Sequence, residues 1–202
     1  MGEGGLAAGK STAAARHAWL CFEDEAGQGL RPPKGRTWGR RGQTPIVHVR
    51  GGGRGRVNIA GLVCYRPGDR SRLIYRIRIW RGRKGESKSL TWTDYRDLLV
   101  AAHQQLGGPI VLVWDNLSVH KMPPLQEFID EHADWLTVFH FPTYSPDLNP
   151  AEGIWSMLKA SLTNFAATDI NHLTRTVRRC LKRIQYQASL IQGCLTQTGL
   201  IM

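Results

Sequence analysis

The chain has 202 residues, 42% of them hydrophobic, which suits one ordinary globular domain with enough apolar material for a core. Its 27 Lys and Arg against 16 Asp and Glu give a formal net charge of +11, which favours a polyanionic partner, nucleic acid first. No run approaches the roughly 18 apolar residues of a membrane span, and the four cysteines are scattered without a CxxC pair, which argues against a zinc ribbon or a disulfide framework.

Residues 1–17 are Gly- and Ala-rich with little periodicity and read as a disordered or weakly helical leader. AWLCF, residues 18–22, is a short apolar run that suits a buried strand, and it ends in Glu23, Asp24 and Glu25. A long Gly/Pro/Arg-rich excursion follows to residue 56. Residues 26–88 hold 17 of the basic side chains and only two acids, Asp69 and Glu86, a local excess of 15.

VNIAGLVCY (57–65) and RLIYRIRIW (72–80) flank the turn signal RPGD and predict a β-hairpin. In the second run Leu73, Tyr75, Ile77 and Ile79 share one face, and Arg72, Arg76 and Arg78 the other. Residues 93–106 carry apolar side chains at helical spacing and stop at GGP. IVLVW (110–114) has the composition of a central strand covered on both faces and runs straight into Asp115. A helix from Pro123 or Pro124 to about His132, a strand over 135–141, a helix from Pro150 and a basic amphipathic helix over 170–187 complete the order. Residues 189–202 read as a C-terminal tail, leaving 18–188 as the domain. The layout is mixed α/β, an antiparallel hairpin followed by parallel crossovers.

Three carboxylates fall at element ends: Asp24, Asp115 and Glu152. Such positions gather function in open α/β sheets, and a set of hard oxygen ligands suits Mg²⁺. Each also has a plainer explanation. Residues 23–25 read as a solvated charge run, Asp115 as the start of a polar turn, and Glu152 as the third helical residue behind Asn149 and Pro150 in a capping box.

FEDEAG (22–27), VLVWDNLSVHK (111–121) and FPTYSPDLNPAEGIWSMLK (141–159) together resemble the DDE endonuclease domain of bacterial insertion-sequence transposases related to the mariner superfamily. The 36 residues between Asp115 and Glu152 match that family's spacing of second and third acids. The resemblance runs from about Trp19 to Gln187, including RTWGRRGQTP. It implies a ribonuclease-H-like fold in which Asp24, Asp115 and Glu152 are the catalytic acids and ligands of Mg²⁺, two ions, with Mn²⁺ as a substitute. Glu25, Asn116, His120 and Asn149 are supporting positions; for His120, a loop-ordering hydrogen bond and direct contact with DNA stand as equal readings.

The implied chemistry is hydrolysis at transposon ends followed by attack of the freed 3′-hydroxyl on target DNA. The basic candidates for holding DNA are Arg36, Arg40, Arg41, Arg54, Arg56, Arg76, Arg78, Lys121 and Lys159. Relatives carry an N-terminal recognition region, and only about 18 residues precede the first strand here, so a catalytic half is expected. Its partner would be a second copy of itself or a separately encoded recognition protein, with a cytoplasmic, nucleoid-associated location.

Two other functions compete. A non-enzymatic nucleic-acid-binding protein, or a decayed transposase fragment, would use the same arginines without needing the three acids. GGLAAGKS (4–11) formally matches a P-loop, but three residues ahead of Gly4 are too few for the strand that motif requires.

Overall fold

The computed structural model describes residues 4–35, 38, 40–43, 46, 54–142 and 146–200. Its centre is a five-stranded sheet of β1 (Trp19–Gly29), β2 (Arg56–Tyr65), β3 (Arg72–Trp80), β4 (Ile110–Trp114) and β5 (Leu136–His140), in the order β3-β2-β1-β4-β5. The β1, β2 and β3 pairings are antiparallel; β4 lies parallel to both β1 and β5. The expected mixed sheet is therefore present, and the change from antiparallel to parallel pairing falls on β1.

Alternation along the strands feeds two cores. Leu20 and Phe22 of β1 and Val111 and Val113 of β4 face α1 (Gly4–Ala15), α4 (Ala151–Leu162), α5 (Ile170–Gln185) and α6 (Ala188–Gln197). Trp19 and Cys21, with Ile110, Leu112 and Trp114, face α2 (Trp92–Leu106) and α3 (Pro123–Glu131). The completely buried β4 explains its unbroken apolar sequence.

Three segments differ from expectation. Strand β1 does not stop at Phe22: it continues through the acids to Gly29, because β2 pairs with it residue for residue from Leu20↔Tyr65 to Gly29↔Arg56. Residues 4–15, read as a leader, form α1, which buries Leu6 and Ala13 in the core beside β4 and β5. Lys10 and Ser11 thus sit inside a helix rather than in a phosphate-cradling loop. Most of α6 (Ala188–Gln197) falls in residues 189–202, read as tail, and it buries Ile191, Cys194 and Leu195. All four cysteines are free and buried. None of the described helices is long and apolar enough to cross a membrane.

Candidate active site

Asp24 and Asp115 meet because of strand register. Parallel pairing runs to Phe22↔Val113, and two further residues along each chain bring Asp24 abreast of Asp115. Asp24 has the parity of the face that carries α4, and Asp115 is the first residue after β4. Gly61 lies opposite Asp24 on β2, and its missing side chain matters: a Cβ there would stand 2.7 Å from the Trp155 ring. In that notch the indole reaches the sheet, and Trp155 Nε1–H donates to Asp24 Oδ2 at 3.0 Å.

Glu152 lies one turn before Trp155 on α4. Asn149 Oδ1 accepts the Ala151 N–H at 3.1 Å, and Pro150 is already helical at φ −64°, ψ −18°. The expected capping box is not formed: among the described residues no backbone N–H donates to the Glu152 carboxylate, which is exposed. The next residue, Gly153, packs against Cys194 of α6, where a Cβ would come within 2.7 Å of its Sγ. The helix start is fixed by Asn149 and its packing, so Glu152 is not needed as a cap.

Asp115 is half-exposed, at 49% for its side chain, and its Oδ1 accepts the Leu117 N–H at 2.9 Å and lies 3.1 Å from His120 Nδ1. Asn116 Nδ2–H donates to the Phe141 carbonyl at 3.4 Å, which ties the loop after β4 to the end of β5. His120 is fully buried, and its Nδ1 lies 3.3 Å from the Asp115 carbonyl oxygen.

Charges at this end of the sheet interact. Burial raises the Asp24 carboxyl to about 6; the negative charges of Glu152 and Asp115 add to the rise, while bonds from the Glu25 backbone and Trp155 work against it. Burial raises Glu25 to about 8, with Asp115 and Asp24 adding to it. Burial also pushes Asp115 upward, but the hydrogen bonds from His120 and Leu117, with the charges of His120 and His140, hold it below its ordinary value. The charges of Glu152 and Asp115 are thus both felt at Asp24, yet the three expected acids do not form a tight ligand cluster among the described residues.

The tight cluster lies on the opposite face of β1. Glu23, Glu25 and His120 each offer a ligand atom within 4.8 Å of the others, making a candidate metal-binding group. Glu23 did not figure among the expected site residues. A strand ending at Phe22 would have left it in solvent, whereas it is 2% exposed, and burial followed by the charges of Glu25, Asp24 and Asp115 raises its carboxyl well above the ordinary range.

The basic candidates divide. Arg76 and Arg78 direct their Nε–H groups at the Asp94 carboxylate, at 3.0 and 2.6 Å, and Arg76 also pairs with Asp97 at 2.9 Å. Their face of β3 is cationic in sequence and neutralised in the fold. Arg40, Arg41, Arg54, Arg56, Lys121 and Lys159 are exposed. Arg36 lies outside the described residues.

A family model described as DDE superfamily endonuclease matches residues 19–174. The insertion element IS630 uncharacterized 39 kDa protein of Shigella sonnei is 26% identical over 165 residues, 82% of this chain and 43% of that protein. The fold is shared with the Mos1 transposase paired-end complex with left transposon end (TM-score 0.59, 14% identity, 96% of this chain, 59% of that one). The catalytic domain of Mos1 mariner transposase also matches (TM-score 0.51, 13% identity, 98% of this chain, 89% of that one). These likenesses make the sheet ribonuclease-H-like, as expected. The chain spans less than half of the insertion-element protein and about three fifths of the Mos1 chain in the paired-end complex. With the matched model covering both parallel strands, the hairpin and the helix that carries Glu152, the chain belongs to the DDE superfamily of endonucleases.

Proposed function

We propose that this chain is the catalytic domain of a DDE transposase, hydrolysing phosphodiester bonds at the ends of a mobile element and joining the freed 3′-hydroxyl to target DNA. The observation that carries the reading is the parallel register of β1 and β4, which sets Asp24 and the residue after β4, Asp115, at one end of the sheet, with the charges of Glu152 and Asp115 both felt at Asp24. An all-oxygen donor set of negative charge, not neutralised by arginine, fits hard divalent cations. Two Mg²⁺ ions held by Asp24, Asp115 and Glu152, or Mn²⁺ in their place, would supply an activated water or hydroxyl and stabilisation of the leaving oxygen.

The remaining roles belong to the chain itself. Leu117 and His120 orient Asp115, Trp155 orients Asp24, and Asn149 fixes the start of the helix that presents Glu152. Asn116 braces the loop, and Glu25 adds negative charge beside Asp24 and Asp115. Exposed Arg40, Arg41, Arg54, Arg56, Lys121 and Lys159 are assigned to the DNA phosphates, a contact that carries affinity and salt dependence but no sequence preference. Sequence recognition falls to a further region or partner, and pairing of two transposon ends to a homodimer.

The test is metal-dependent nicking of plasmid DNA by the parent beside Asp24→Asn, Asp115→Asn and Glu152→Gln. Loss in all three variants is expected. Nicking by Asp115→Asn at the parent rate would leave only a basic DNA-binding domain.

A further inference from the structure

Buried between β1 and the turn after β4 is a contact that neither a core nor a set of metal ligands requires. His120 is 0% exposed, and its ring is stacked on the Trp114 indole with centroids 4.1 Å apart at 5°, while Tyr95 meets it edge-on at 4.7 Å. Those two aromatic contacts fix where both ring nitrogens point. Nδ1 faces Asp115, 3.1 Å from Oδ1 and 3.3 Å from its carbonyl oxygen. Nε2 faces Glu23 Oε2 at 3.5 Å, and among the described residues neither Nε2 nor Glu23 Oε1 has a hydrogen-bond partner.

Both atoms facing Nδ1 are acceptors only, so Nδ1 must carry hydrogen. On the other side a lone pair of Nε2 and a bare carboxylate cannot face one another when both are buried, so a proton lies between them. Whichever atom holds it, the Nδ1–H is secured by what happens at Nε2, the arrangement by which outer partners of a metal ligand fix its orientation. A hard divalent ion between Glu23 and His120 would have to shed most of the waters it keeps, since those two groups are 2% and 0% exposed and only the third member of the cluster, half-buried Glu25, meets solvent.

We propose that Glu23 and His120 act as a positioning pair for Asp115. The Leu117 N–H donates to Oδ1, and His120 Nδ1–H bridges the residue, bonded to its carbonyl oxygen at 3.3 Å and 3.1 Å from Oδ1, which fixes the carboxylate and leaves Oδ2 outside both contacts. Glu23 acts only through the imidazole. The inference rests on Asp115 being a metal ligand, as proposed above.

The experiment is calorimetric titration of the full chain with Mn²⁺, with thermal melts as a folding control. His120→Asn places its amide N–H near the Nδ1 position, and His120→Gln places it near Nε2. The Gln variant should bind Mn²⁺ roughly 10- to 100-fold more weakly, and the Asn variant within about threefold of the parent. Glu23→Leu should weaken binding in the parent and add nothing in the His120→Asn background. That second pair of measurements decides the matter if His120→Gln fails to fold.

Undiminished Mn²⁺ binding in Asp115→Asn would overturn the acid assignment and this inference with it. Loss in Asp115→Asn beside equal affinities for His120→Asn and His120→Gln, or additive losses with Glu23→Leu, would overturn the pair alone. A nitrogen directly bound to Mn²⁺ in the pulsed electron spin resonance spectrum would also overturn it, making His120 a ligand.

Discussion

Buried or half-buried acids occur in two regions of this molecule, and they are treated in opposite ways. At the start of α2, Asp94 meets Arg76, Arg78, the Thr91 backbone N–H and the Thr91 hydroxyl, and these bonds outweigh burial to hold it at about 2. At the junction of β1 and β4, Asp24 and Glu25 make no ion pair with an arginine among the described residues, and burial, with the charges of Glu152 and Asp115 at Asp24 and of Asp115 and Asp24 at Glu25, raises them to about 6 and 8. An acid surrounded by cationic side chains of its own chain is structural. One placed among other acids retains an unmet demand for positive charge, which a ligand can supply.

Asp115→Asn gives the largest effect if this contrast is right. Losing several kcal/mol of transition-state stabilisation should cut metal-dependent nicking roughly a thousandfold, while thermal melts without metal at neutral pH show only a small loss of stability, because the lowered Asp115 carboxyl stabilises the fold in its ionised form. Asp94→Asn should behave the other way. It removes the capping box of α2 and strands two guanidiniums, costing about 2 kcal/mol in urea denaturation, a figure reduced because Arg76 and Arg78 are partly exposed.

Trp155→Phe keeps most of the buried ring and deletes the N–H that reaches Asp24, so a loss of about 1.5 kcal/mol is expected in the same denaturation. Glu25→Gln tests the sign. Because the folded-state pKa of Glu25 is raised, its contribution is fully favourable below about 4.5 and is lost as pH rises through about 8. Without divalent metal, the variant should therefore melt progressively higher than the parent between pH 4.5 and 8. Equal melting temperatures at both ends would erase the contrast between the two regions. This shift is the smallest of the four, since solvent reaches half-buried Glu25.

The sequence made much of this legible, for identifiable reasons. The run at 110–114 announces a doubly covered strand, and the acid after it has to lie at a strand end. Arg76 and Arg78 were readable as one face of β3, but not as partners of Asp94, because that pairing depends on how α2 folds back across the sheet.

Glu23 was the larger omission. The apolar run stops at Phe22, yet the nine-residue β-rich run of β2 needed an antiparallel partner of similar length, a signal that β1 continues through its acids. Once it does, alternation sends Asp24 to one face and Glu23 and Glu25 to the other. Helix α6 also had a signal, Ile191, Cys194 and Leu195 at helical spacing, in a segment set aside for its position near the end.

The Gly61 notch has a mechanical consequence. Because the Trp155 ring is seated against the sheet, one rigid helix carries Glu152 and, one turn on, a clamp on Asp24. The two acids are then linked like opposite jaws on a single lever. Any tilt of α4 that moves Glu152 must either drag the Asp24 carboxylate with it or break the indole bond, so a side chain added at residue 61 would misalign the pair without touching either acid.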